Sequence, residues 1–247
     1  NDAIFISLIR TDADIREAVK NMEIDEEKYE KIYGKINHWD TSNVIDMSGL
    51  FQYSELNLFL NWDVSNVTNM SGMFYRASGY ISIGKWDVSN VTDMSGTFLN
   101  ATVFNQNIGT WNTSSVTTMN GLFDRAIVFE YDISGWNVSN VRNMVGMFGG
   151  CNKFNSDLSK WDVSNVTDMD CMFESCTNFN CDLSKWDVSN VTIMECMFSC
   201  CYEFNCDLSK WDLSNVRHMR AMFCNCYQFN SDLSTWNVSN VRHMRSM

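Results

Sequence analysis

The sequence predicts a repeat solenoid in which each coil of about 25 residues holds one short parallel β-strand and one helical turn, with a helical cap at its N-terminal end. Three observations predict it. The nine tryptophans, Trp39 to Trp236, are spaced by 23, 24 and then six times by 25 residues. Val always follows five residues after Trp and Met eight residues after, and Phe stands twelve residues after in the first eight repeats. A unit such as WDVSNVTDMDCMFESCTNFNCDLSK, residues 161–185, carries more apolar side chains than so short a segment can bury alone, so each unit must be covered by its neighbours.

Residues 1–36 do not repeat and are expected to form the cap. In TDADIREAVKNM, Thr11 is the expected N-cap, and Ile15, Ala18, Val19 and Met22 share one helical face. DEEKYEKIYG predicts a second helix that stops at Gly34, with Tyr29, Ile32 and Tyr33 apolar. An amphipathic helix laid over the first coil would keep its ladder ends from edge pairing.

Residues 37–247 are the expected array of about nine repeats, the last of them incomplete. Within each, FNxDLSKW alternates as a strand does, and SGMF or DCMFESC predicts a helical turn carrying Met and Phe on one side. A rise near the inter-strand spacing of about 4.8 Å would align identical residues in ladders. The Ser and Asn of WDVSNV, Ser164 and Asn165 for example, suit unpaired loop backbone, and stacked Asn side chains can bond one another. The sequons at Asn66, Asn90, Asn165 and Asn190 lie inside this motif and are read as structural.

The motif WDVSNVTDMSGMF followed by MFxxC/AxxFNxDLSxW resembles the BspA-like leucine-rich-repeat surface proteins, over residues 37–247. That resemblance implies a leucine-rich-repeat-type solenoid without catalytic residues. It also implies a role in adhesion or as an interaction surface, on a cell or particle exterior. A structural part of a larger assembly, such as a virion surface or minor capsid protein, is the alternative.

Composition agrees with a binding rather than a chemical role. A net charge of −12 argues against general nucleic-acid binding, and no apolar run is long enough to span a membrane. Absence of proline and scarcity of glycine leave few linkers at which to divide the chain, so a single body is expected. His38, His218 and His243 have no unrepeated nucleophile or carboxylate beside them, and phosphate-binding glycine loops are lacking, so no enzyme, cofactor or metal is expected.

The ten cysteines follow the repeat. Cys151, Cys176, Cys201 and Cys226 take the place of Ala77, Ala101 and Ala126, which predicts a small buried group. Cys171 and Cys196 replace Gly72, Gly96, Gly121 and Gly146, which predicts tight packing. Cys181, Cys206, Cys200 and Cys224 align with polar residues and are expected to be more exposed free thiols.

The candidate binding residues come from the variable positions six, seven and nine after Trp. In the last two repeats these are Arg217, His218, Arg220 and Arg242, His243, Arg245, and residues 213–247 hold four Arg against one acid, Asp232. Stacked, they predict one basic patch on an acidic rod that can attract an acidic protein, glycan or phosphate group.

Overall fold

The computed structural model describes residues 8–247; the first seven residues of the expected cap lie outside the described residues. The chain opens with β1 (Ile9–Thr11), α1 (Ile15–Ile24) and α2 (Glu26–Tyr33), followed by a single 3-10 turn (Ile36–His38) and β2 (Asp40–Asn43). Ile15, Ala18, Val19 and Met22 are buried as the helical pattern predicts. The N-cap is Asp14 rather than Thr11, because the Asp14 carboxylate turns back to accept from the Thr11 N–H and hydroxyl. Gly34 ends α2 at φ 72°, while Ile32 faces solvent.

Beyond β2 the chain is a repeated structure whose successive units bond to one another in parallel. A column of single bridges joins the residues seven positions after each Trp, from Asp46–Asn69 through Asp168–Ile193 to His218–His243. The following segment adds a one-way ladder. The N–H groups of Met169, Cys171, Phe173 and Ser175 donate to the carbonyls of Ile193, Glu195, Met197 and Ser199 in the next repeat. The residues between them close tight turns, such as Met172 to Met169 and Cys176 to Phe173.

Two local expectations are corrected by this arrangement. The segment with Met and Phe is a run of turns, not a helical turn, because alternate N–H groups are committed to the neighbouring repeat. FNxDLSKW forms a strand only early in the array, where β3 (Leu58–Phe59) pairs with β4 (Ile81–Ser82). Elsewhere its backbone is bridged by side chains: Asn155 Oδ1 accepts from the Asn180 N–H at 3.0 Å, and Cys181 Sγ accepts from the Leu158 N–H at 3.0 Å.

The core is a set of aromatic columns. Successive Phe rings twelve residues after Trp stack at 5.5 Å for Phe148–Phe173 and 5.7 Å for Phe173–Phe198, centroid spacings that belong to offset stacking. A second Phe column runs beside it, with Phe148 and Phe154 only 4.1 Å apart. Trp161, Val166, Met169, Met172, Phe173 and Leu183 are all buried. Most of the Trp side chains also tie two repeats together, as the indole N–H of Trp186 donates to the Leu158 carbonyl and that of Trp211 to the Leu183 carbonyl, both at 3.0 Å; Trp86 and Trp111 make no such bond.

Polar repeat residues perform matching backbone tasks. Asn165 Nδ2 donates to the Ser139 carbonyl and Asn190 Nδ2 to the Ser164 carbonyl, both at 2.8 Å. Thus the Asn column bonds to the preceding repeat's backbone rather than to other Asn side chains, which satisfies a carbonyl that the loop leaves open. Asn66 and Asn90 make the same bond.

The cysteines separate into three roles. Cys151, Cys176 and Cys201 are fully buried, each thiol directed at a Phe carbonyl of the preceding repeat. Cys171 and Cys196 do not mark tight packing: their column has positive φ, 54° and 51°, and a Cβ added to Gly72, Gly121 or Gly146 meets nothing within 4 Å. Glycine stands there for its backbone, not its size. Cys181 and Cys206 are buried rather than exposed, because their sulfurs take over the acceptor role that Ser156 fills for the Ile133 N–H. Cys200 and Cys224 are partly exposed, and all ten thiols are free.

Candidate functional site

The repeat leaves few side chains uncommitted. Residues six and seven after Trp flank the parallel bridge with their backbone fixed on both sides, and the residue nine after Trp follows one turn on. Their side chains are therefore displayed at fixed spacing along one face, and their identities alone determine that face's chemistry.

In the last two repeats this face forms an open cleft of about 660 Å³ lined by Glu195, His218, Arg220, Arg242, His243, Met244 and Arg245. The structure thus brings together five of the six residues singled out from the sequence. Arg217 is exposed but outside the cleft lining. The imidazoles of His218 and His243 stack with centroids 4.9 Å apart and planes 20° from parallel. That spacing follows directly from the His218–His243 backbone bridge.

Glu195 is the residue that sequence reasoning missed. Its Oε1 lies 3.5 Å from His218 Nδ1 and its Oε2 3.5 Å from Arg220 Nε. It belongs to the preceding repeat, nine residues after Trp186, so following the Arg220 column back by one unit would have found it. Such half-exposed ion pairs add little stability; what they do here is orient Arg220.

The same column carries the opposite sign one step earlier. Asp170 is pushed up from the ordinary carboxylate value by burial, reinforced by the nearby charges of Asp168, Glu195 and Glu174. The surface potential therefore reverses between Glu195 and Arg220, over a single inter-repeat step. Asp124, four repeats in, is likewise raised by burial and by Glu174.

No cluster of three or more His, Cys, Asp or Glu side chains among the described residues has the geometry to hold a metal ion. Among the described residues no helix is long and apolar enough to cross a membrane.

A family model described as a Mycoplasma protein of unknown function, DUF285, matches residues 14–82, 78–175 and 147–247. The chain belongs to the DUF285 family. The three matches overlap and together cover nearly all of it, as expected where a model spans several short repeats and can align in more than one register. The third DUF285 match contains the whole basic cleft, and the first contains α1, α2 and the opening repeats. No curated protein and no solved structure matches this DUF285 chain.

Proposed function

We propose that this DUF285 protein is a leucine-rich-repeat-type solenoid of the BspA-like kind, a non-enzymatic scaffold that displays a binding surface on a cell exterior. BspA-like proteins contain DUF285 repeats, which supports the assignment of the array. One observation carries the functional reading: five cationic or ionisable basic side chains from two successive repeats line one cleft, with Glu195 as the only carboxylate among its lining residues. Like charges stacked at this spacing repel, so their repetition is favoured where an anionic partner neutralises them. Planar guanidinium groups suit bidentate pairing with carboxylate, sulfate or phosphate, so the partner is an acidic protein or an acidic glycan.

The test changes Arg217 and Arg242 to Thr, as in Thr167, and Arg220 and Arg245 to Ser, as in Ser71. Binding to immobilised heparin and to an immobilised polyglutamate peptide is then measured over a range of salt. The expected result is a loss of about tenfold or more in affinity and a shallower salt dependence. Equal affinity and equal salt slope for the two proteins would overturn the reading.

A further inference from the structure

A second cleft, about 560 Å³, opens on the other half of the array and is lined by aromatic and uncharged polar side chains with a single cation, Lys85. Its walls carry three aromatic rings that face solvent: Phe59 is 72% exposed, Tyr80 48% and Tyr131 39%. Phe59 and Tyr80 lie side by side with centroids 5.8 Å apart. Around them stand Asn61, Asn107 and Lys85, all exposed, and no carboxylate lines the cleft.

These residues are departures from the repeat. By register, Phe59 pairs with Ser82, which stands four residues before its Trp, where the regular repeats have Asp157 and Asp182. Tyr80 takes the place of Asn155, six residues before Trp, and Tyr131 that of Ser156, five before. The backbone departs with them. Only Asn61 separates Leu60 from Trp62, where the regular unit has Ser159 and Lys160 between Leu158 and Trp161.

The break reaches the core. The Trp86 indole lines the cleft and is only 6% exposed; its Nε1, like that of Trp111 outside the cleft, has no hydrogen-bond partner, whereas Trp62, Trp136, Trp161, Trp186 and Trp211 each donate to a carbonyl of the preceding unit.

From this set of groups we infer that the cleft is a binding site for a neutral oligosaccharide. Flat exposed rings match the apolar C–H faces of pyranose units, and uncharged amides and hydroxyls match sugar hydroxyls as both donors and acceptors. An extended peptide fits less well. The free edge of β4 is already closed by Gln106, whose Nε2 donates to the Ile81 carbonyl at 2.7 Å and whose Oε1 accepts from the Ile83 N–H at 3.2 Å. Strand addition therefore has no backbone partner there. The site does not rest on the basic cleft and uses none of its residues.

The experiment uses the whole chain against a panel of neutral hexasaccharides: β-1,4-glucan, β-1,4-N-acetylglucosamine, α-1,6-mannan and β-1,4-galactan, read by calorimetry and by tryptophan fluorescence. A triple variant, Phe59→Asp, Tyr80→Asn and Tyr131→Ser, places the residues of regular repeats at all three positions and so favours a folded product. At least one hexasaccharide is expected to bind the native chain at about millimolar affinity or better, independently of salt, and the triple variant to lose about tenfold or more. The arginine variant described above should bind it unchanged. Failure of every hexasaccharide to bind the native chain, or equal binding by the triple variant, would overturn the inference while leaving the basic cleft untouched.

Discussion

Arg16 of α1 donates from its guanidinium to the main-chain carbonyl of Ser48 in the first repeat. From each column Met onward the inter-repeat N–H groups reach the carbonyls of the next unit, as Met47 does to Asn69 and Gly49 to Ser71, whereas the residue six after Trp donates back to the preceding unit, as Thr68 does to Ile45. The first repeat's own carbonyls at Asp46 and Ser48 consequently have no repeat to serve, and Arg16 bonds both. Asp12 answers the opposite polarity, its Oδ1 accepting from the N–H groups of Ile45 at 2.8 Å and Asp46 at 3.0 Å. Arg16→Ala is expected to cost about 1 kcal/mol, since these groups are half-exposed and water replaces part of the contact. Asp12→Ala should speed amide exchange at Ile45 and Asp46 specifically. Hydrogen exchange resolved to those two amides checks the second claim, and unaltered protection there would refute it.

Trp161→Ala is expected to lose about 3 to 5 kcal/mol, through the cavity left by a buried ring. The variant also loses the indole bond to the Ile133 carbonyl. Trp161→Phe keeps most of the packing and removes that bond, so it should cost less, about 1 to 3 kcal/mol. Denaturant unfolding of the two variants beside the native chain orders them, and an equal loss in both would show that the bond rather than the ring matters.

Most of the core was legible because it is periodic: Trp161, Val166, Met169 and Phe173 recur at fixed offsets, and only a stacked arrangement buries such columns. The form of the joints was not. Whether FNxDLSKW pairs through backbone or through side chains depends on where Asn155 Oδ1 and Cys181 Sγ reach, and alternation alone does not tell these apart. Positive φ at Cys171 was hidden for a related reason, since Gly, Cys and Ala share a column both where space is short and where the backbone is left-handed. The basic cleft was read almost whole from one column of the alignment, and Glu195 was missed because the column was followed only as far as its sign stayed constant.

Ala221 adopts φ 54° in the column that Gly72, Gly96, Gly121 and Gly146 occupy at φ 58–61°. A left-handed conformation costs an L-residue about 1 to 2 kcal/mol, partly offset by the greater freedom that glycine has in the unfolded chain. Ala221→Gly should therefore stabilise the protein by up to about 1 kcal/mol. A lower unfolding midpoint for this variant would contradict the backbone reading of the column.

Thiol reactivity should follow burial instead of sequence neighbourhood. Burial pushes the Cys181 and Cys206 thiols up to about 11 and the Cys226 thiol up to about 12, so few thiolates form there at pH 8. Cys200 and Cys224 are partly exposed. Iodoacetamide at pH 8, followed by peptide mass analysis, is expected to label Cys200 and Cys224 in the native protein well before Cys181 and Cys206. The adjacent pair Cys200 and Cys201 makes this a strict comparison, because Cys201 is fully buried.

Acid should destabilise the array through its Asp–Ser turns. Asp162 Oδ1 accepts from the Ser164 hydroxyl at 2.6 Å and from its N–H at 3.1 Å, and these bonds hold the carboxyl below the ordinary value of 3.8; Asp40, Asp87 and Asp212 are lowered by the equivalent Ser contacts. A carboxyl whose folded value is depressed binds fewer protons in the native state, so its contribution is complete above the unfolded value and is lost as pH falls below about 3.8. Asp124 and Asp170 act oppositely: burial raises them, so protonation just above that value favours the native state. Stability should thus stay level or rise slightly on moving down towards pH 4, and fall steeply below it. Asn112 and Asn137 already fill the Asp162 position and accept from Ser114 and Ser139 at 3.1 and 3.0 Å. Replacing Asp40, Asp87, Asp162 and Asp212 with Asn keeps the acceptor while removing the titration. The unfolding midpoint of that variant, measured from pH 6 to pH 2.5, is expected to depend less on pH below 4 than that of the native chain. Parallel curves for the two proteins would show that acid unfolding proceeds through other groups.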